Sequence, residues 1–180
     1  MKTFILGFAI CILLSISGAF GFDNDEYHLA QDRYKAVAND AADAAALFYD
    51  QEAFAEGIKV FNKTEGNKAV KDIIKSGLNL NDSLSGGIVK YAEGVHTYYT
   101  YYFDEDGKMT KYHEDTLIST TDVEYPYVFK ESLTDYTSKI TKPTVIVTIS
   151  AGKFDFRLKT IDDPELIRTS GYEYVGYWGG

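Results

Sequence analysis

Cysteine is nearly missing from this chain of 180 residues: there is one, Cys11, and it sits inside an apolar run close to the N-terminus. Everything beyond that run must fold without an internal disulfide, so its stability has to come from burial. Cys11 follows Phe8-Ala9-Ile10 in the middle of the run, which excludes a lipoprotein attachment site, and the lack of cysteine elsewhere suits a bacterial, often Gram-positive, exported protein. Proline is scarce too, at 3 residues, and between Asp23 and Tyr49 there is neither proline nor glycine. Charge is absent altogether from Phe4 to Phe22. Basic residues are outnumbered, 18 Lys and Arg against 27 Asp and Glu, and the net charge of −9 argues against nucleic acid or anionic lipid as a partner.

What is present begins with the uncharged run itself. Phe4 to Phe22 has about the length that crosses a bilayer as a helix. Lys2 precedes it, and Asp23, Asp25 and Glu26 follow, which places the N-terminus in the cytoplasm and the remainder outside. The same run fits a secretory signal peptide, because Ser17-Gly18-Ala19 and Ala19-Phe20-Gly21 offer small residues at the spacing a signal peptidase reads. A retained anchor and a cleaved signal both remain open.

The alanine-dense stretch after the run favours a helix that continues out of it as a stalk, predicted over Asp23 to about Tyr49 and reaching residue 55 at most. Within it, Ala42-Asp43-Ala44-Ala45-Ala46-Leu47, preceded by Leu29-Ala30-Gln31, resembles the minor pilins and pseudopilin-like proteins of tight-adherence (Tad) pilus systems, of the TadE and TadG kind. That resemblance covers about the first third of the chain and implies a non-enzymatic, membrane-anchored component of a cell-surface assembly. The chain departs from the family pattern in one respect: Gly21-Phe22-Asp23-Asn24-Asp25-Glu26-Tyr27, which looks like a pilin processing site, follows the apolar helix instead of preceding it.

Past Gly57 the pattern changes. Asn62 to Gly66 reads as a loop, and Val70, Ile73 and Ile74 predict a second helix ending at Ser76-Gly77. From Val95 to Phe103 the period is two, with aromatic residues on both faces; Asp106-Gly107 then turns the chain into a strand over Lys108 to His113. Pro126 marks an extended edge segment over Glu124 to Phe129. Thr144 to Ile149 is the clearest strand; Ala151-Gly152 is expected to turn it back into Lys153 to Lys159. Asp163-Pro164 predicts a short helix to about Arg168, with a closing strand over Tyr172 to Val175 and an end that Tyr177 and Trp178 could pin.

No catalytic constellation emerges. His28, His96 and His113 lack metal-ligand spacing, and Lys108 intrudes where an Asp104-Glu105-Asp106-Gly107 calcium loop would need further ligands, so no metal, cofactor or enzymatic activity is expected. The aromatic strand Tyr98 to Phe103 could stack sugars, pack a partner or simply pair within a sheet.

The reading that results is an α+β protein: residues 1–22 a transmembrane anchor or signal peptide, 23–55 a stalk helix, and 56–180 an extracytoplasmic domain with a short helix and an antiparallel sheet of about five strands. The expected partners are the membrane and other anchored pilus subunits, met through the small-residue surface Ala38, Ala41, Ala42 and Ala45. The alternatives are a secreted single-domain binding protein or adhesin with its signal peptide removed and, third, a hydrolase with a dispersed site.

Overall fold

The computed structural model describes residues 2–87, 95–157 and 163–174. Its spine is α1, Lys2–Ala46, 45 residues that run through Gly7, Gly18 and Gly21 without a break. At 1.5 Å per residue this helix is about 68 Å long, more than the thickness of any small domain. Its two halves differ sharply in surroundings. Phe4 to Phe22 carries no buried residue, whereas Ala30, Tyr34, Val37, Ala38, Ala41, Ala42, Ala45 and Ala46 are all buried, at the three- and four-residue spacing of one helical face.

That face packs on α3, Lys63–Leu78, and on one side of a five-stranded antiparallel sheet in the order β3-β2-β1-β6-β7. The strands are β1 Thr97–Phe103, β2 Lys108–His113, β3 Thr116–Asp122, β6 Thr144–Lys153 and β7 Glu165–Glu173. A two-stranded ribbon, β4 Tyr127–Lys130 and β5 Thr137–Ile140, covers the opposite face. The central strand β1 is therefore buried on both sides: Tyr98 and Tyr102 point to the helices, Tyr101 and Phe103 to the ribbon. This is why its aromatic residues alternate with no polar face. Helix layer, sheet and ribbon form two hydrophobic cores separated by the sheet, and the expected α+β architecture with about five antiparallel strands is the one observed.

Several local expectations are corrected. The stalk helix does not reach residue 55: α1 ends at Ala46, and a separate short helix α2, Gln51–Ala55, restarts after Asp50, whose carboxylate accepts the N–H groups of Glu52 and Ala53. Residues 23–46 are not a free stalk either, since they form the central core helix of the domain. Asn62 to Gly66 is no loop, because Asn62 caps α3 and accepts the Glu65 N–H. Gly77 does not end α3. The helix continues to Leu78 and closes on Asn79 in the left-handed conformation, φ 57°. Gly77 is a contact residue: a Cβ there would lie 2.7 Å from Cγ2 of Val37, so its lack of a side chain sets how closely α1 and α3 approach. Arg33 of α1 then donates to the Gly77 carbonyl from Nε and Nη2 at 3.1 and 2.7 Å.

At the C-terminal end, Asp163-Pro164 opens no helix. Glu165–Glu173 is strand β7, paired along β6. The Ala151-Gly152 turn is likewise absent, since β6 runs on to Lys153 past an irregularity in its pairing with β7. Of the strand expected over Lys153 to Lys159, residues 154–157 form a loop and the last two lie outside the described residues, as do Val175, Tyr177 and Trp178.

Candidate functional site

Two features of α1 define where this protein can act: the exposed apolar half, and the point at which that half enters the folded domain. Phe4 to Phe22 is exposed apart from the half-buried Ala19, and α1 is the one helix among the described residues long and apolar enough to cross a membrane. Such a helix is compatible with an anchor or a signal sequence. Isolated in water, so large an apolar surface would have to be covered.

The transition out of that half is abrupt. Phe22 is exposed, but Asp23, the next residue, is only 2% accessible. The loop after β6 closes around it. The Arg157 backbone N–H donates to Oδ2 of Asp23 at 2.9 Å, Arg157 Nε lies 3.1 Å from Oδ1, and the guanidinium stands over the Phe22 ring with its carbon 4.6 Å from the centroid. One turn further, Tyr27 meets Phe154 at 5.3 Å and Phe156 at 6.0 Å between ring centroids, and its hydroxyl donates to the Glu165 carbonyl. A carboxylate taken out of water is strongly penalised unless it is paired and hydrogen-bonded, and Arg157 supplies the counter-ion beside Oδ1 and the backbone hydrogen bond to Oδ2. Asp23 and Arg157 thus fix the domain to α1 at the first residue beyond the apolar run.

The surface expected to receive another subunit is already occupied. Ala38, Ala41, Ala42 and Ala45 are fully buried within the domain's own core, beneath α3 and the sheet. Small side chains do permit close packing there, but the contacts are intramolecular, so this face is corrected from an assembly surface to a core surface.

The other candidates resolve into structural roles. His96 is buried beside Tyr34, its ring stacked at 5.7 Å; Nδ1 lies 3.0 Å from the Leu84 carbonyl, and Nε2 meets the Tyr34 hydroxyl in a short hydrogen bond. With Nδ1 protonated toward the carbonyl, Nε2 accepts from the phenol, and both buried polar groups are satisfied. Burial lowers the His96 pKa. His113 stacks on Tyr99, and His28 is exposed on α1. Asp104 is buried and paired: Oδ2 lies 2.7 Å from Lys63 Nζ, and Oδ1 accepts the Phe61 N–H. Burial raises its pKa, and the Lys63 and Phe61 interactions oppose that rise. The turn from Asp104 to Gly107 is a hairpin connection whose carboxylates are spent on neighbouring N–H and ammonium groups. In the aromatic strand, Tyr98, Tyr101, Tyr102 and Phe103 are core residues, and Tyr99 is half-buried under Lys111 and His113.

One buried acid carries no sequence signal. Glu131, 1% accessible, receives hydrogen bonds from Tyr101, Ser132, Leu133 and Thr148, and Thr148 meets Thr169 at 2.9 Å. This network ties the ribbon to the sheet. It lies beneath an open groove of about 670 Å³ between Asp32 and Lys35 of α1, β7 and the loop from Leu133 to Tyr136. Glu131 and Thr148 do not line that groove. The Asp23–Arg157 clamp was missed for a related reason: its partners are 134 positions apart in sequence.

The chain matches no family model, no curated protein and no solved structure.

Proposed function

We propose that this is a non-enzymatic, membrane-anchored, pilin-like component of a cell-surface assembly, of the kind its likeness to Tad minor pilins implies. The observation that carries the reading is the continuity of α1. One helix presents an uncovered apolar half and, without a break, supplies the spine of a folded domain. Such a chain can sit singly in a bilayer or pack its apolar half against others. Gly7, Cys11 and Ser15 recur every fourth residue on that half, and nothing lies within 4 Å of a Cβ placed at Gly7 or Gly18, so the stripe is free for close helix packing. With its alanines committed to the core, the domain leaves assembly to the apolar half.

Cys11 reports on this directly, being the single cysteine and exposed on the apolar half. In membranes, mild oxidation is expected to give a Cys11–Cys11 dimer, and N-terminal sequencing of the exported protein is expected to find an uncut anchor. Monomeric, uncrosslinked protein with an intact N-terminus would leave an anchor without assembly and overturn the pilin-like part.

A second reading rests on a specific observation: the domain's grip on α1 begins at Phe22–Asp23, immediately after Ala19-Phe20-Gly21. Removal of a signal peptide there would leave every described contact of the domain in place, giving a secreted binding protein or adhesin. A mature N-terminus at Phe20 or Phe22 in a soluble fraction decides for it.

A further inference from the structure

The far end of α1 carries a surface that the reading of the apolar half does not use. After Ala46 the chain makes an excursion, Leu47 to Ile58, that includes α2. No residue of α2 is buried. A helix that buries no residue of its own is nonetheless set up by a proper cap at Asp50, and it displays Phe54 outward, with further large side chains on the segments that flank it. Leu47 is 67% exposed, Phe48 40%, Phe54 41% and Ile58 40%, and Tyr49 lies against Phe54 at 4.6 Å. Four large apolar residues exposed on one twelve-residue excursion, with Tyr49 bordering both Phe48 and Phe54, mark an interaction surface.

Charge decides what can cover it. Between Leu47 and Ile58 stand Asp50, Glu52 and Glu56, and no Lys or Arg. The adjoining groove of about 710 Å³, bordered by Leu47 and Phe48, adds Glu65 to Asp50 and Glu52 and has no cationic residue in its lining. Lys59, which follows Ile58 and shares a small pocket with Tyr49 and Phe54, is one cation against these four acids and is turned over the Tyr174 ring at 4.6 Å, while Lys63 is paired with Asp104, so the rim stays net acidic. A second copy of a chain with net charge −9 would bring like charge to this rim. The bilayer holding the anchor is out of reach as well, because α1 carries the chain about 36 Å beyond Phe22 before Ala46.

We propose that Leu47, Phe48, Phe54 and Ile58 dock an apolar segment flanked by Lys or Arg on another exported protein, with Glu52 and Glu56 at the rim pairing with its cations. The proposal is independent of whether the apolar half assembles.

The probe is a short fluorescent amphipathic peptide of Leu and Lys, titrated against the full chain in zwitterionic nanodiscs, with empty discs subtracted. Its counterpart has Glu at every Lys position. The Lys peptide is expected to bind at least about tenfold more tightly than the Glu peptide, to weaken with salt, and to lose about tenfold in affinity with Phe54→Ser/Ile58→Ser or with Glu52→Lys/Glu56→Lys. Leu117→Ser/Ile118→Ser, which alters an exposed apolar pair on β3, should leave binding unchanged. All three double variants replace exposed residues, and an unchanged unfolding midpoint confirms that the fold is kept. Equal binding of the two peptides, no loss with Phe54→Ser/Ile58→Ser, or the same loss with Leu117→Ser/Ile118→Ser would overturn the proposal. So would self-association that Phe54→Ser/Ile58→Ser abolishes, or uptake of added zwitterionic vesicles at this end, since either would assign the surface to a second copy or to lipid.

Discussion

The two halves of α1 share one backbone and almost opposite chemistry. From Phe4 to Phe22 the helix is apolar all round and touches little of its own protein; from Asp23 to Ala46 it is polar on one side and packed with alanine on the other. A helix apolar on every side needs a uniformly apolar environment, whereas an amphipathic one needs a partner on a single face. The comparison teaches that helix continuity and helix environment are set separately. The helix runs on through Gly18 and Gly21 although glycine itself disfavours it, and burial begins within one residue, at Asp23.

The largest effect expected from breaking this contrast comes from placing a charge in the first half. Leu13→Arg should cost roughly 2.5–3.5 kcal/mol in membrane insertion. Thermal unfolding of the domain in detergent should be unaffected, because Leu13 contacts none of it. Adding bulk to the second half should do the reverse. Ala42→Leu overfills a site with no free surface and should destabilise the domain by roughly 1–3 kcal/mol, read from denaturant midpoints, while leaving membrane fractionation intact.

The boundary itself is sharpened by Asp23→Asn, which removes the ion pair with Arg157 while keeping the side chain's size. A loss of about 1–2 kcal/mol is expected, with hydrogen exchange accelerating first in the loop from Phe154 to Arg157. The smallest effect is a pH dependence confined to the second half. Burial holds the folded pKa of His96 below the unfolded value near 6.5, against the opposing pull of its hydrogen bond to the Leu84 carbonyl. The unfolded chain therefore takes up the proton first, and this contribution is fully present above about pH 7 and is lost as pH falls through 6.5 toward the lowered value. His96→Gln should flatten that part of the stability profile.

Much of this architecture was legible in the sequence where the signal is local. Asp106-Gly107 marks a real hairpin between β1 and β2, the β-branched run from Thr144 forms the long strand β6, and the breaker-free stretch from Asp23 onward continues the helix to Ala46. Strand β3 escaped because Thr116 to Asp122 lies at a sheet edge exposed on both faces, which leaves no apolar alternation to read. Strand β7 was hidden by the Asp163-Pro164 cap signal, which its pairing with β6 overrides. The alanine face shows a different ambiguity: Ala38, Ala41, Ala42 and Ala45 have the same spacing whether they meet another chain or α3, and the decision belongs to Gly77, whose missing side chain lets α3 close against Val37 of α1. Clamps such as Asp23 with Arg157 join positions too distant in sequence for any spacing rule to pair.

The unbroken passage of α1 from apolar half to core also has a mechanical meaning. A domain hung on a flexible tether swivels, and a pull on its anchor is taken up by the tether. Here a pull along the helix axis is transmitted without slack to the Asp23–Arg157 clamp and then spread as shear over the packed face from Ala30 to Ala46. Tilting the apolar half must therefore tilt the whole domain, and withstanding tension becomes a property of the folded core.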